Sequence, residues 1–133
     1  KFATLAGGGY VHRRHLDGVP PDHVEAARLF LATPYLWGGR TVHGLDCSGL
    51  VQIALQAIGV VCPRDADQQR ALGREIDPAD RRRGDLVFFP GHVGILVDAD
   101  TLLHANAFWM LTVIEPLADV VARGSEIEAI RRV

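Results

Sequence analysis

The sequence predicts an α+β domain in which helices come first and a mostly antiparallel sheet follows. Two observations carry this. Apolar residues recur at helical spacing from Asp22 to about Leu72, and after Arg83-Gly84-Asp85 the pattern changes to short strands separated by turn residues. Length adds a bound, because 133 residues suffice for one core and hardly for two.

Pro20-Pro21-Asp22 opens the first helix. Asp22 is its N-cap, and Glu25 three residues on completes a capping box. Val24, Ala27, Leu29, Phe30 and Leu31 give it an apolar face, and Thr33-Pro34 ends it. Tyr35 to Arg40 reads as a loop. A second helix spans about Cys47 to Ile58, with Leu50, Val51, Ala54, Leu55 and Ile58 on one side and Gly59 as its C-terminal cap. A shorter helix covers Asp65 to Leu72. Strands follow at Leu86 to Phe89, His92 to Val97, Thr101 to Ala105, Leu111 to Ile114 and Glu126 to Arg132, with Asp98-Ala99-Asp100 as a turn.

Residues 1–17 read apart from residues 18–133. Gly7-Gly8-Gly9 before Tyr10-Val11-His12 fits either a flexible arm or the closing strand of a bacterial SH3-like domain ending near Leu16. The second option makes this chain one end of a longer protein. The first residue is Lys1, not Met, which fits a processed chain or a fragment.

The net charge of -2 offers no global basic field for nucleic acid or an anionic membrane. No run of 18 apolar residues predicts membrane insertion. Arg81-Arg82-Arg83 reads as a solvated loop before a strand. The two cysteines, Cys47 and Cys62, read as free thiols with different jobs. Cys62, in the apolar run Gly59 to Pro63, is the structural one.

Cys47 sits in Gly44-Leu45-Asp46-Cys47-Ser48-Gly49-Leu50, at the start of the second helix. A thiolate is the nucleophilic form of Cys, and a helix N-terminus favours negative charge, so this position should lower the thiol pKa. The free N–H groups of the first turn can hold an oxyanion, and Gly44 and Gly49 allow close approach. The competing reading is a buried Cys used as a small hydrophobe. His92 can take the thiol proton and return it to a leaving amine, although any one of six histidines is more often a plain surface or core residue. With a three-residue turn at 98–100, Val97 faces Thr101 and His104 lies opposite Gly94. His104 is then a diagonal neighbour of His92 on one sheet face, able to orient it. A one-residue slip would undo this. Cys with two His can also bind zinc, but neither a Cys-x-x-Cys nor a His-x-x-x-His pair supports it, so no metal is expected. His12, His15, His23 and His43 have no evident partner.

Five segments, in order, resemble the NlpC/P60 cysteine peptidases: Pro34-Tyr35-Leu36-Trp37-Gly38-Gly39, Asp46-Cys47-Ser48-Gly49-Leu50-Val51-Gln52, Arg83-Gly84-Asp85-Leu86-Val87-Phe88-Phe89, Gly91-His92-Val93-Gly94-Ile95 and Leu103-His104-Ala105. The resemblance runs from about Asp22 to Val133. It implies a papain-like α+β fold, Cys47 as nucleophile, His92 as base, His104 as the orienting residue, and no cofactor. Pro63-Arg64-Asp65-Ala66-Asp67-Gln68 and the SH3-like tail are similar to the subgroup that cleaves γ-D-glutamyl–diamino-acid bonds. That likeness implies a murein stem peptide as substrate, with its free N-terminal L-Ala amine held by Tyr35, Asp46 and Ser48. Helix capping is the alternative role for Asp46 and Ser48. Trp37 walls the groove or packs in the core, and Arg64 with Asp65 forms an ion pair or reaches substrate carboxylates. A free-amine requirement favours loose peptides and recycling in the cytoplasm, with a periplasmic or secreted setting as the alternative. The rival functions are an acyltransferase or amidase using the same Cys-His pair, and a non-catalytic cell-wall-binding module.

Overall fold

The computed structural model describes residues 1–12, 18 and 20–133. Strands β1 (Phe2–Thr4) and β2 (Tyr10–His12) form an antiparallel hairpin of their own. Leu16 and His15, in the segment read as an arm or SH3-like tail, lie outside the described residues.

Helix α1 (His23–Arg28) begins at Asp22, whose side chain accepts the Glu25 N–H at 2.8 Å. Its buried face is Val24, Ala26 and Ala27. The helix stops sooner than the sequence suggested, and the chain passes through Ala32 at φ 67°. Leu29 and Leu31 therefore leave the predicted apolar face, and Leu29 is 75% exposed. What ends the helix is the pull of a strand. Ala32 donates to Thr112 O at 2.9 Å and Thr112 donates back to Thr33 O at 2.9 Å.

Strands β3 (Arg40–Thr41) and β4 (Gly44–Leu45) form a short antiparallel pair leading into α2 (Cys47–Ala57). Helix α2 buries Leu50, Val51, Ala54 and Leu55, as its 3.6-residue spacing requires, and Gly59 closes it at φ 80°. Gln52 and Gln69 tie the next turn to this helix: Gln52 donates to Cys62 O at 3.0 Å, while Gln69 donates to Pro63 O at 2.9 Å and Ser48 O at 3.0 Å. Helix α3 (Ala66–Gln69) is one turn.

The main sheet contains β5 (Arg74–Glu75), β6 (Leu86–Phe89), β7 (His92–Asp98), β8 (Thr101–Asn106), β9 (Leu111–Pro116) and β10 (Ala129–Arg132), in the order β5-β10-β6-β7-β8-β9, every pair antiparallel. Alternation in β6 sends Leu86 and Phe88 to the core shared with α1 and α2, and Val87 and Phe89 to a second core. That second core is covered by α4 (Leu117–Ala122), through Leu117 and Val120. The sequence reading missed α4, because six mostly apolar positions are too short a stretch for a helical period to stand out.

The turn between β7 and β8 differs from the expected one. Asp98 pairs directly with Thr101, leaving a two-residue turn, and the register shifts between Leu96 and Asp98. This irregularity at Val97 absorbs one residue, so Leu96 still faces Leu102 and Ile95 still faces Leu103. Continued inward, the same register sets Gly94 opposite His104. The arginine run is a surface loop before β6, as expected, and is tied down by ion pairs: Arg81 bonds Ala99 O and Asp100, and Arg83 pairs with Asp22 and Glu25.

Candidate active site

Cys47 is the first residue of α2, half-buried against the first core. Its sulfur is met by the backbone N–H of Val93, the residue after His92 in β7, and by the N–H groups of Ser48 and Cys47 itself. The start of β7 therefore lies against the N-terminus of α2. The expected depression of the thiol pKa does not hold in this resting site. Burial raises it, the neighbouring Asp46 carboxylate adds to the rise, and the three N–H groups only partly offset them. Cys62 is buried, donates to Pro63 O at 3.4 Å, and is pushed up to about 11 by burial. It is a structural thiol, as its sequence context implied.

Asp46 caps α2. One carboxylate oxygen accepts the Gly49 N–H at 2.7 Å and the other the Gly38 N–H at 2.9 Å. Arg64 then grips the same carboxylate with both arms, at 2.9 and 2.8 Å, and bonds Ser48 Oγ at 2.9 Å. The partner of Arg64 is thus Asp46, where the sequence had paired it with Asp65 or a substrate carboxylate. Burial works to raise the Asp46 pKa, but Arg64 and the two N–H groups win and hold it below the usual carboxylate range. Gly49 is required here, since a Cβ would collide with the Gly39 carbonyl.

Leu36 N–H donates to Leu45 O at 2.9 Å and Leu45 N–H to Pro34 O at 3.0 Å, folding the Tyr35–Gly39 loop over the approach to α2. Tyr35, Trp37, Asp46, Cys47, Ser48, Asp65, Asp67 and Gly91 border a cavity of about 270 Å³. Trp37 is 85% exposed, so it walls this cavity and is not core packing. Burial raises the pKa of the half-buried Tyr35 phenol, and the neighbouring Cys47 and Asp46 act in the same direction.

His92 and His104 come together as the register required, with Nε2 of His92 2.7 Å from Nδ1 of His104. His104 is 1% exposed, and its Nε2 lies 2.7 Å from Glu115 Oε2. Arg123, at the end of α4, holds Glu115 with two bonds of 2.6 and 2.8 Å. Burial lowers the His92 pKa to about 3, with His104 and Arg123 adding to the fall and Glu115 opposing it. The His104 pKa is lowered too, first by burial. Glu115 is held at about 2, chiefly by Arg123. At neutral pH these directions leave the Cys47 thiol and both imidazoles uncharged and Glu115 ionised.

Glu115 and Arg123 escaped the sequence reading. A signal for Glu115 existed: it is the one acidic residue of β9, two positions beyond Val113, which pairs with His104. Arg123 follows the helix that was not predicted and had no signal. His23, which had no evident partner, bonds Gly84 O at 2.7 Å through Nε2.

The NlpC/P60 family model matches residues 32–116, which include all five resembling segments. The chain is 35% identical over 121 residues to a gamma-D-glutamyl-L-lysine dipeptidyl-peptidase of Bacillus subtilis, covering 79% of this chain and 40% of that protein. Among solved structures, the peptidoglycan hydrolase RipB of Mycobacterium tuberculosis superimposes with a TM-score of 0.74 at 27% identity, covering 92% of this chain and 68% of that one. RipD of the same species, described as a non-catalytic NlpC/p60 domain protein with a peptidoglycan-binding function, has the same fold at TM-score 0.70 and 22% identity, over 84% of this chain and 94% of that one. The chain spans less than half the length of the Bacillus subtilis relative. The family match covers most of the chain and holds both Cys47 and the two paired histidines, so this chain belongs to the NlpC/P60 family.

Proposed function

We propose that this chain is a cysteine endopeptidase for the γ-D-glutamyl–diamino-acid amide bond of peptidoglycan stem peptides. The observation that carries the reading is the meeting of the Cys47 thiol with the start of β7, where His92 is backed by His104. Cys47 Sγ attacks the γ-glutamyl carbonyl while His92 takes its proton, so that neither charged form has to exist alone beforehand. The N–H groups of Cys47 and Ser48, which face the sulfur at rest while that of Gly49 is taken by Asp46, stabilise the developing oxyanion. The proton passes from His92 to the departing amine, and water, deprotonated by His92, then opens the thioester.

The free amine of an N-terminal L-Ala enters the 270 Å³ cavity beside Cys47. Tyr35 and Ser48 supply oxygens to it. Asp46 is already neutralised by Arg64, so the compensating charge comes from Asp65 and Asp67 at the cavity rim. Trp37 gives the opposing wall. The non-catalytic reading, for which RipD is the precedent, is disfavoured by the retained Cys47 and His92.

The test is incubation with L-Ala-γ-D-Glu-diaminopimelate and with its N-acetylated form, products identified by mass. Cleavage of the free-amine peptide alone supports the full reading. Equal cleavage of both removes the amine pocket, and cleavage of neither removes the substrate.

A further inference from the structure

We propose that Glu115 and Arg123 are positioning residues which, acting through His104, fix the hydrogen of His92 on Nε2 and leave Nδ1 as its only basic nitrogen. The proposal rests on the reading of His92 as the base, and extends it to two residues outside the Cys47 cavity.

The assignment follows from donors and acceptors taken in turn. A guanidinium has five N–H donors and no acceptor. Arg123 bonds both oxygens of Glu115, so Glu115 is an ionised carboxylate and can only accept. His104 Nε2, 2.7 Å from Glu115 Oε2, must therefore carry a hydrogen. His104 is buried and neutral, so its Nδ1 is bare and acts as an acceptor. His92 Nε2, 2.7 Å from that Nδ1, must then be the donor. One hydrogen is left for the neutral His92 ring, and it is already placed. Nδ1 is therefore the one ring nitrogen of His92 able to accept a proton.

The fold accounts for the chain of contacts. His92 and His104 lie on one face of the sheet by register, and Leu102 pairs with Glu115, which sets Glu115 on that same face. Helix α4 covers this face and brings Arg123 over the carboxylate at its C-terminal end. The β8–β9 turn closes the far side: the Arg123 guanidinium stacks 4.2 Å above the Phe108 ring, and the neighbouring Trp109 side chain helps to lower the Glu115 pKa. When Nδ1 is protonated in the reaction, Nε2 keeps its bond to His104, and the Glu115 charge stabilises the imidazolium through the intervening ring.

The experiment is ¹⁵N NMR of the full chain labelled at histidine, which separates protonated from bare ring nitrogens without any substrate. The expected result at neutral pH is a bare Nδ1 and protonated Nε2 on both His92 and His104. A hydrogen on Nδ1 of His92 overturns the proposal. Glu115→Gln should mix the two forms of His92 and lower kcat about tenfold or more with KM nearly unchanged. Arg123→Gln, at a more exposed position, should move both readouts in the same direction and decides the matter if Glu115→Gln does not fold. Wild-type NMR signals and kcat in both variants overturn the proposal. The expected His92 form without cleavage of any stem peptide would remove the substrate reading and leave this one standing.

Discussion

Arg64 and Asp46 form a forked ion pair across the N-terminus of α2, with both guanidinium arms within 2.9 Å of the carboxylate. The carboxylate also caps the helix that carries Cys47, so one side chain fixes that helix end and consumes the charge of Arg64. The pair is partly buried, with side chains 28% and 12% exposed. Removing Arg64 therefore costs more than the ~1 kcal/mol of an exposed pair and less than the ~3–5 kcal/mol of a buried one. Arg64→Ala should lose about 2 kcal/mol of stability in urea unfolding. A loss below ~0.5 kcal/mol, in the range of ordinary surface changes, would mean that Asp46 is satisfied by its backbone donors alone.

The second prediction concerns pH. Burial raises the Cys47 pKa, so the charged thiolate is a small fraction at neutral pH and grows as pH rises. His92, lowered to about 3, supplies no imidazolium to hold a thiolate at rest. The alkylation rate of Cys47 by iodoacetamide should therefore keep climbing past pH 9. A rate that levels off between pH 5 and 7 would signify a preformed thiolate–imidazolium pair. Cys62 should react far more slowly, since it is buried and its thiol is held protonated.

Trp37 separates binding from stability. At 85% exposure it contributes little to the core, while its ring borders the Cys47 cavity. Trp37→Ala should leave the unfolding midpoint within the range of surface changes, ~0.5 kcal/mol, and raise KM severalfold at nearly constant kcat. A large fall in stability would assign the ring to packing.

Much of this arrangement is legible in the sequence because short-range rules govern it. Asp22 and Asp46 each precede a helix, and both cap one. The alternation of β7 and β8 was enough to bring His92 and His104 together, although by a two-residue turn and a shifted register where a three-residue turn was expected. What was not legible depends on contacts distant in sequence. The exposure of Leu29 follows from the bonding of Ala32 and Thr33 to Thr112, far along the chain. The forked pair joins residues 18 apart, and Arg123 reaches Glu115 only because α4 folds back over its own strand. The thiol expectation erred for a related reason: a helix N-terminus is visible in sequence, but the burial that outweighs it is a property of the assembled core.

The central claim is that Cys47 is the nucleophile. It is tested most directly by release of diaminopimelate from L-Ala-γ-D-Glu-diaminopimelate, measured side by side for the wild-type chain and Cys47→Ala at equal folded concentration. The account predicts steady release by the wild type and none above background for the variant. Release by Cys47→Ala at a rate comparable to wild type would contradict it.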